Sequence, residues 1–209
     1  DPLRREERLW GLPTLLCFLA RGDVPLHAAS IEVDGRALVL AAPRKFGKTT
    51  LAAAFAAEGH RVLAEDLTCL RPGDRPSVVP GPAMLRVRRD VAEALAVPGT
   101  REVGRDEERV HLALAAERGS SEPVALGAIV LLKAGDTDPR LEAVSGAGVL
   151  RDLWALSFNL PTDEDRSRCF RALGEVVRTV RTWDLTRRLR IRDLRPTVER
   201  LVEAAGRAE

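Results

Sequence analysis

The stretch "LVLAAPRKFGKTTLAAAF", Leu38 to Phe55, decides how the chain folds. An apolar run that suits a buried strand passes through a short loop into a run of strong helix formers. Such a junction aims successive backbone N–H groups at one point, and the helix adds the positive end of its dipole, so phosphate is the natural guest. The loop closes on Gly47-Lys48-Thr49, the end of the phosphate-loop (P-loop) pattern G-x-x-x-x-G-K-[ST], but Ala42 stands where the pattern opens on glycine. An alanine follows the same path if its φ is negative, and its presence removes no phosphate ligand. The expected cradle is Ala42, Pro43, Arg44, Lys45, Phe46, Gly47, Lys48, Thr49 and Thr50. In it Lys48 reaches the β- and γ-phosphates, Thr49 offers a hydroxyl to Mg²⁺, and Gly47 lets the backbone approach closely.

Outward from the loop, Asp34-Gly35 between "HAASIEV" and "ALVLAA" predicts a tight hairpin, because both residues tolerate positive φ. The helix after the loop is expected to end at Gly59. "HRVLAEDLTCL" then reads as one buried strand carrying Glu65 and Asp66. Open α/β sheets bind ligands at the carboxyl ends of their strands, and neighbouring strand residues point to opposite faces. Only one of the two acids is therefore expected to face the phosphates, as a metal ligand or as a general base for a hydroxyl nucleophile. Residues 71–81 read as a Pro/Gly-rich surface loop, "AMLRV" as a short strand, and Arg89–Ala96 as a helix. Arg86 and Arg88 read foremost as surface charge, with a grip on substrate or phosphate as the alternative.

Farther on, 99–123 reads as charged loop interrupted by the strand "RVHLAL", and "VALGAIVLLKAG" as the best buried strand of the second half. Helices are expected over about 148–157 and 163–180, a strand near Trp183, and a last helix from Leu194. The "TDED" run from Thr162 supplies a hydroxyl cap and early acids. Strands outnumber those of a simple alternating βα pattern, so the fold class is α/β with a mixed sheet around the loop, flanked by helices.

The 209 residues suit one domain, 1–209, in which residues 1–24 hold an N-terminal helix that could be the remnant of a longer N-terminal region. An apolar fraction of 45%, a charged fraction of 31% and a net charge of +2 fit a folded soluble chain and point to no particular partner. Lysine occurs only at Lys45, Lys48 and Lys133, so two of the three lie in the loop. Scattered arginine with no tyrosine, five phenylalanines and three tryptophans gives little basis for stacking nucleic-acid bases, and no nucleic-acid partner is expected. Cys17, Cys69 and Cys169 form neither a disulfide framework nor a zinc spacing, which fits a reducing cytoplasm. "LWGLPTLLCFLA" is short and interrupted by proline, so it reads as a packed helix and not as a membrane span.

The run from Leu26 to Leu70 resembles the ATP-binding core of the HPr kinase/phosphorylase family and its smaller relatives, among them kinases associated with ribosomal peptide natural products such as lasso peptides. The matching residues are His27 before the strand, Gly47-Lys48-Thr49 closing the loop, and "GHRVLAED", in matching order. The resemblance implies an HPr kinase C-terminal-domain-like fold, ATP and Mg²⁺ as cofactors, and transfer of phosphate to a hydroxyl, foremost Ser of a peptide or protein. It implies Asp66 as proton acceptor, His27 and Lys48 as its catalytic companions, and Thr49 on the metal, with Glu65 left as the second metal ligand. The HPr enzymes form ring-like hexamers, so a homo-oligomer is among the arrangements it implies. Ala42, the basic Arg44 and Lys45, and Glu65 in place of the family's usual Asp are departures, and no Gly-rich C-terminal signature of the bifunctional enzymes is present. Two alternatives stand beside the kinase: a nucleotide-binding regulatory or assembly module without turnover, and transfer of a nucleotidyl group or simple hydrolysis in the same pocket.

Overall fold

The computed structural model of the chain describes residues 9, 11–115 and 121–206. Residues 1–8 and 10 of the expected N-terminal helix, and 116–120 of the expected charged loop, lie outside the described residues. In chain order the elements are α1 (Leu12–Ala20), β1 (Val24–Leu26), β2 (Ala28–Val33), β3 (Arg36–Ala41), α2 (Lys48–Ala57), β4 (Arg61–Ala64) and β5 (Thr68–Arg71). There follow β6 (Ser77–Val79), β7 (Met84–Arg88), α3 (Arg89–Leu95), β8 (Arg101–Arg105), β9 (Arg109–Ala113) and β10 (Val124–Ala134). The rest is β11 (Arg140–Val144), α4 (Ala147–Leu156), α5 (Asp163–Thr179), β12 (Arg181–Arg187) and α6 (Leu194–Gly206).

The fold is mixed α/β, with a large mixed sheet ordered β1-β5-β6-β10-β3-β2-β4, to which β12 adds on β10 and β11 on β12. Its spine is β10. Val124 and Ala125 pair antiparallel with Val78 and Ser77 of β6, and from Ala128 onward the same strand runs parallel to both β3 and β12. A strand buried on both faces needs apolar side chains in both directions, which is why "VALGAIVLLKAG" is legible as a near-continuous apolar run. Ala128, Val130 and Leu132 join the core on the face of α2, α3 and α6, while Ile129 and Leu131 join the one under α4 and α5. A separate three-stranded sheet, β7-β9-β8, packs its Leu85, Val87 and Leu112 against the first of these cores. With apolar neighbours around it, α2 is buried along nearly its whole length, and its alanines permit that close approach.

The hairpin forms as the sequence predicts: Asp34 and Gly35 have φ of 49° and 74° and join β2 to β3. The helix after the loop ends as expected, with Gly59 at φ 94° and the His60 amide returning to the Phe55 carbonyl. On α5 the Thr162 hydroxyl accepts the Asp165 amide at 3.3 Å, the cap its sequence predicts.

Three expectations are corrected. "HRVLAEDLTCL" is not one strand: β4 pairs with β2, the chain bends at Glu65-Asp66, and β5 pairs with β1 and β6. Two buried acids in a continuous ladder would have nowhere to go, and the bend carries both out of it. The 71–81 segment contains β6, whose Val78 is fully buried, so its prolines and glycines flank a strand instead of replacing it. β8 and β11 are absent from the sequence reading because their mostly exposed, charged residues show no apolar periodicity. Among the described residues, no helix is long and apolar enough to cross a membrane.

Candidate active site

β3, β10 and β12 run parallel, with Ala41, Leu131 and Asp184 in register, and all three end on the side where the loop lies. The loop leaves β3 at Ala42, which is 2% exposed, with its methyl group in the core beneath the loop. Its φ is not positive, so a glycine there has no conformational task. The left-handed conformations fall instead on Lys45, at φ 70°, and Gly47, at φ 79°. Pro43, Arg44 and Lys45 form the exposed tip, Phe46 packs toward the core, and Thr50 is half-buried in the first turn of α2.

Lys48 is buried and turns back under the loop. Its ammonium donates to the carbonyls of Ala42 at 2.7 Å and Pro43 at 3.0 Å, and lies 3.0 Å from His27 Nε2. An ammonium has three protons and no lone pair, so those partners satisfy it fully. It also fixes the histidine. Because Nε2 must accept, the ring proton sits on Nδ1, which faces Asp66 Oδ1 at 3.3 Å. Burial and the adjacent Lys48 charge push the His27 pKa below its ordinary value, outweighing Asp66, and keep the ring neutral; burial likewise lowers that of Lys48.

Both acids of the bend face this site. Glu65 Oε1 accepts the Thr49 hydroxyl at 2.5 Å, and its other oxygen accepts Arg86 Nε at 3.1 Å. The other arm of Arg86 reaches Asp66 Oδ2 at 3.3 Å. The expectation that only one acid could face the loop is corrected, because strand alternation does not govern a bend. Arg86 itself is corrected from surface charge to the clamp between the acids, whereas Arg88 is an exposed partner of Asp90. The two carboxylates differ in setting: the side chain of Glu65 is 7% exposed and that of Asp66 48%. Burial pushes the Glu65 pKa up, against the opposing pull of Arg86 and Thr49.

A continuous chain of contacts thus runs Lys48, His27, Asp66, Arg86, Glu65, Thr49. It borders a cavity of about 340 Å³ whose wall includes His27, Glu65, Asp66 and Arg86 and whose remainder is apolar, from Leu15, Phe18, Val79 and Met84.

A distant likeness accompanies this geometry. The chain resembles the structure of the HPr(Ser) kinase/phosphatase from Coxiella burnetii with a TM-score of 0.43 at 9% sequence identity, covering 84% of this chain and 94% of that one. No protein-family model and no curated protein matches. The site's chemistry has to be read from its own side chains.

On the far side of the loop stands a residue that the sequence reading does not single out. Arg187, at the end of β12, is 2% exposed, and a Cβ placed on Gly47 would lie 2.7 Å from its Nη2.

Proposed function

We propose that the chain is an ATP-dependent kinase that phosphorylates a hydroxyl, foremost a serine of a peptide or protein. The observation that carries this reading is the bridge from the loop lysine through His27 to Asp66, a half-exposed carboxylate at the edge of a cavity. Glu65, Thr49 and Asp66 all supply hard oxygens, which suits Mg²⁺. The described residues hold no group of three His, Cys, Asp or Glu in metal-binding arrangement, and Mg²⁺ often takes only one or two protein ligands beside phosphate and water. Thr49 and Glu65 would hold the ion, which when bound neutralises charge on the phosphate oxygens.

In the transfer step the acceptor hydroxyl, lying in the cavity, gives its proton to Asp66 as its oxygen attacks the γ-phosphorus. The bond from that phosphorus to the bridging oxygen breaks and ADP leaves. His27 Nδ1–H and Arg86 fix the carboxylate, each on a different oxygen, and leave lone pairs for the incoming proton. Lys48 exchanges its loop carbonyls for phosphate oxygens, and the amides at the start of α2 receive the rest of the charge.

The test is transfer of label from γ-labelled ATP, with Mg²⁺, to serine-containing peptides. Asp66→Asn should bind ATP with wild-type affinity and transfer about 10²- to 10⁴-fold more slowly. Transfer at the wild-type rate would remove Asp66 as base. ATP binding without transfer to any acceptor would favour the regulatory reading, which draws support from the fully satisfied ammonium of Lys48.

A further inference from the structure

Arg187 is an unusual residue to bury. A guanidinium has five donors in a planar fork and stays charged, and enclosing a charge without a partner is expensive. Its Nη1 donates to the Arg188 carbonyl at 3.2 Å, but Nε and Nη2 are buried and find no acceptor among the described residues. The neighbouring carboxylate that acts on it is Asp193, which only partly offsets the burial that pulls the pKa of Arg187 down. Of the other arginines at the site, Arg44 on the loop tip is exposed and Arg86 is paired with both acids.

The position is set by the sheet. Strand alternation puts Leu185 and Arg187 on one face, and Leu185 packs in the core shared with α2. The register of β12 on β10 continues past Asp184, the residue level with the end of β3, to Arg187 opposite Ala134. Arg187 therefore rises beyond the end of β3 to the height of the loop, where its Nη2 lies against Gly47. Lys48 approaches the loop from the His27 side and Arg187 from the side of β12.

We propose that Arg187 is a second phosphate-binding residue, whose unpaired Nε and Nη2 grip an oxygen of the β- or γ-phosphate of the bound nucleotide. This inference rests on the phosphate-loop reading of Gly47-Lys48-Thr49. A phosphate in that cradle supplies the acceptors and the negative charge that the guanidinium lacks, in a planar geometry that favours arginine over lysine.

The experiment is titration calorimetry of the full chain with ATP and with inorganic tripolyphosphate, in wild type, Lys48→Ala, Arg187→Met and Arg187→Lys, with melting temperatures of the ligand-free proteins alongside. Arg187→Met should weaken both ligands by about tenfold to a hundredfold, as for a hydrogen bond to a charged group, with an unchanged or raised melting temperature, because an unpaired buried charge has been removed. Arg187→Lys should fall between, and it carries the comparison alone if the methionine variant does not fold. Wild-type affinity in the Arg187 variants, or a loss confined to ATP while tripolyphosphate is unaffected, overturns the proposal. Where Lys48→Ala loses binding but the Arg187 variants do not, only Arg187 is at fault. If wild type binds neither ligand, or Lys48→Ala binds both as well as wild type does, the phosphate-loop reading falls and this inference with it.

Discussion

Arg86 holds two carboxylates at once, and its removal should show which of them depends on it. Glu65 is enclosed, so losing its cation leaves a buried charge. For a fully buried pair that would cost 3–5 kcal/mol; Arg86 is a third exposed, and about 2 kcal/mol is expected for Arg86→Ala. The pH dependence has a definite sign. Burial raises the Glu65 pKa above its ordinary 4.5, so the folded state binds more protons than the unfolded one between those two values. Removing Arg86 raises it further. The gap in melting temperature between wild type and Arg86→Ala should therefore narrow as pH falls from 7 toward 5, and a gap that widens on acidification would contradict this account. His27 has the opposite tendency. Its pKa is lowered from 6.5, so its stabilising contribution is full above that pH and is lost as pH falls toward the folded value. Thermal melts across pH 5–8 should show His27→Gln with a shallower acid slope than wild type. At this scale the sequence is informative about Lys48, Thr49 and His27 because their spacing around a strand and helix is chemically specific. Arg86 and Arg187 are hidden in an arginine-rich composition. For Arg187 the one available signal was the alternation Trp183, Leu185, Arg187, which sets a cation in line with apolar side chains.

Turns and caps behave as local chemistry, and local chemistry is what a sequence displays best. The Asp34-Gly35 hairpin, the Gly59 stop of α2 and the Thr162 cap all follow from side chains a few residues apart. The bend after β4 does not, because only the different partners of β4 and β5 reveal it. β11, held by β12, and β6, held by β10 as well as by the adjacent β5, likewise depend on neighbours remote in sequence more than on their own pattern. Two glycines separate conformational strain from steric conflict. Gly35 has φ 74° with open space around its absent Cβ, whereas Gly47 has φ 79° and Arg187 Nη2 at 2.7 Å from that position. Gly35→Ala should cost about 1 kcal/mol in chemical denaturation, the strain of the left-handed conformation alone. Gly47→Ala should cost more, since the guanidinium must also move. Equal costs would mean that Arg187 yields freely. Thr162→Ala, which removes the α5 cap, should cost about 1 kcal/mol.

Across the whole molecule the large sheet divides the core in two. Phe55 of α2 and Leu153 of α4 are each fully buried, one in each half. Phe55→Ala is expected to cost about 3–5 kcal/mol and Leu153→Ala about 2–5. Because the two share no cluster, the double variant should equal their sum within about 0.5 kcal/mol, as read from urea midpoints; a larger discrepancy would show that β10 transmits strain between the faces. This arrangement places every candidate ligand on one rim. Lys48 and Thr49 come from α2 after β3, and Arg187 from β12, brought together because their parallel strands end on one side, while Glu65 and Asp66 come from the bend after β4 and Arg86 from β7 of the smaller sheet.

Lys48, with each proton held and its side chain enclosed, should also be chemically silent. Amine acylation needs a deprotonated, accessible nitrogen. Lys45 sits on the exposed tip, and Lys133, half-exposed, holds Asp184 at 2.5 Å. A brief pulse of an acylating reagent should therefore mark Lys45 first, Lys133 more slowly, and Lys48 only when the loop lifts away from its carbonyls. With so few lysines in the chain, mass spectrometry of the pulse-labelled protein turns the rate of modification at one amine into a clock for the opening of the loop.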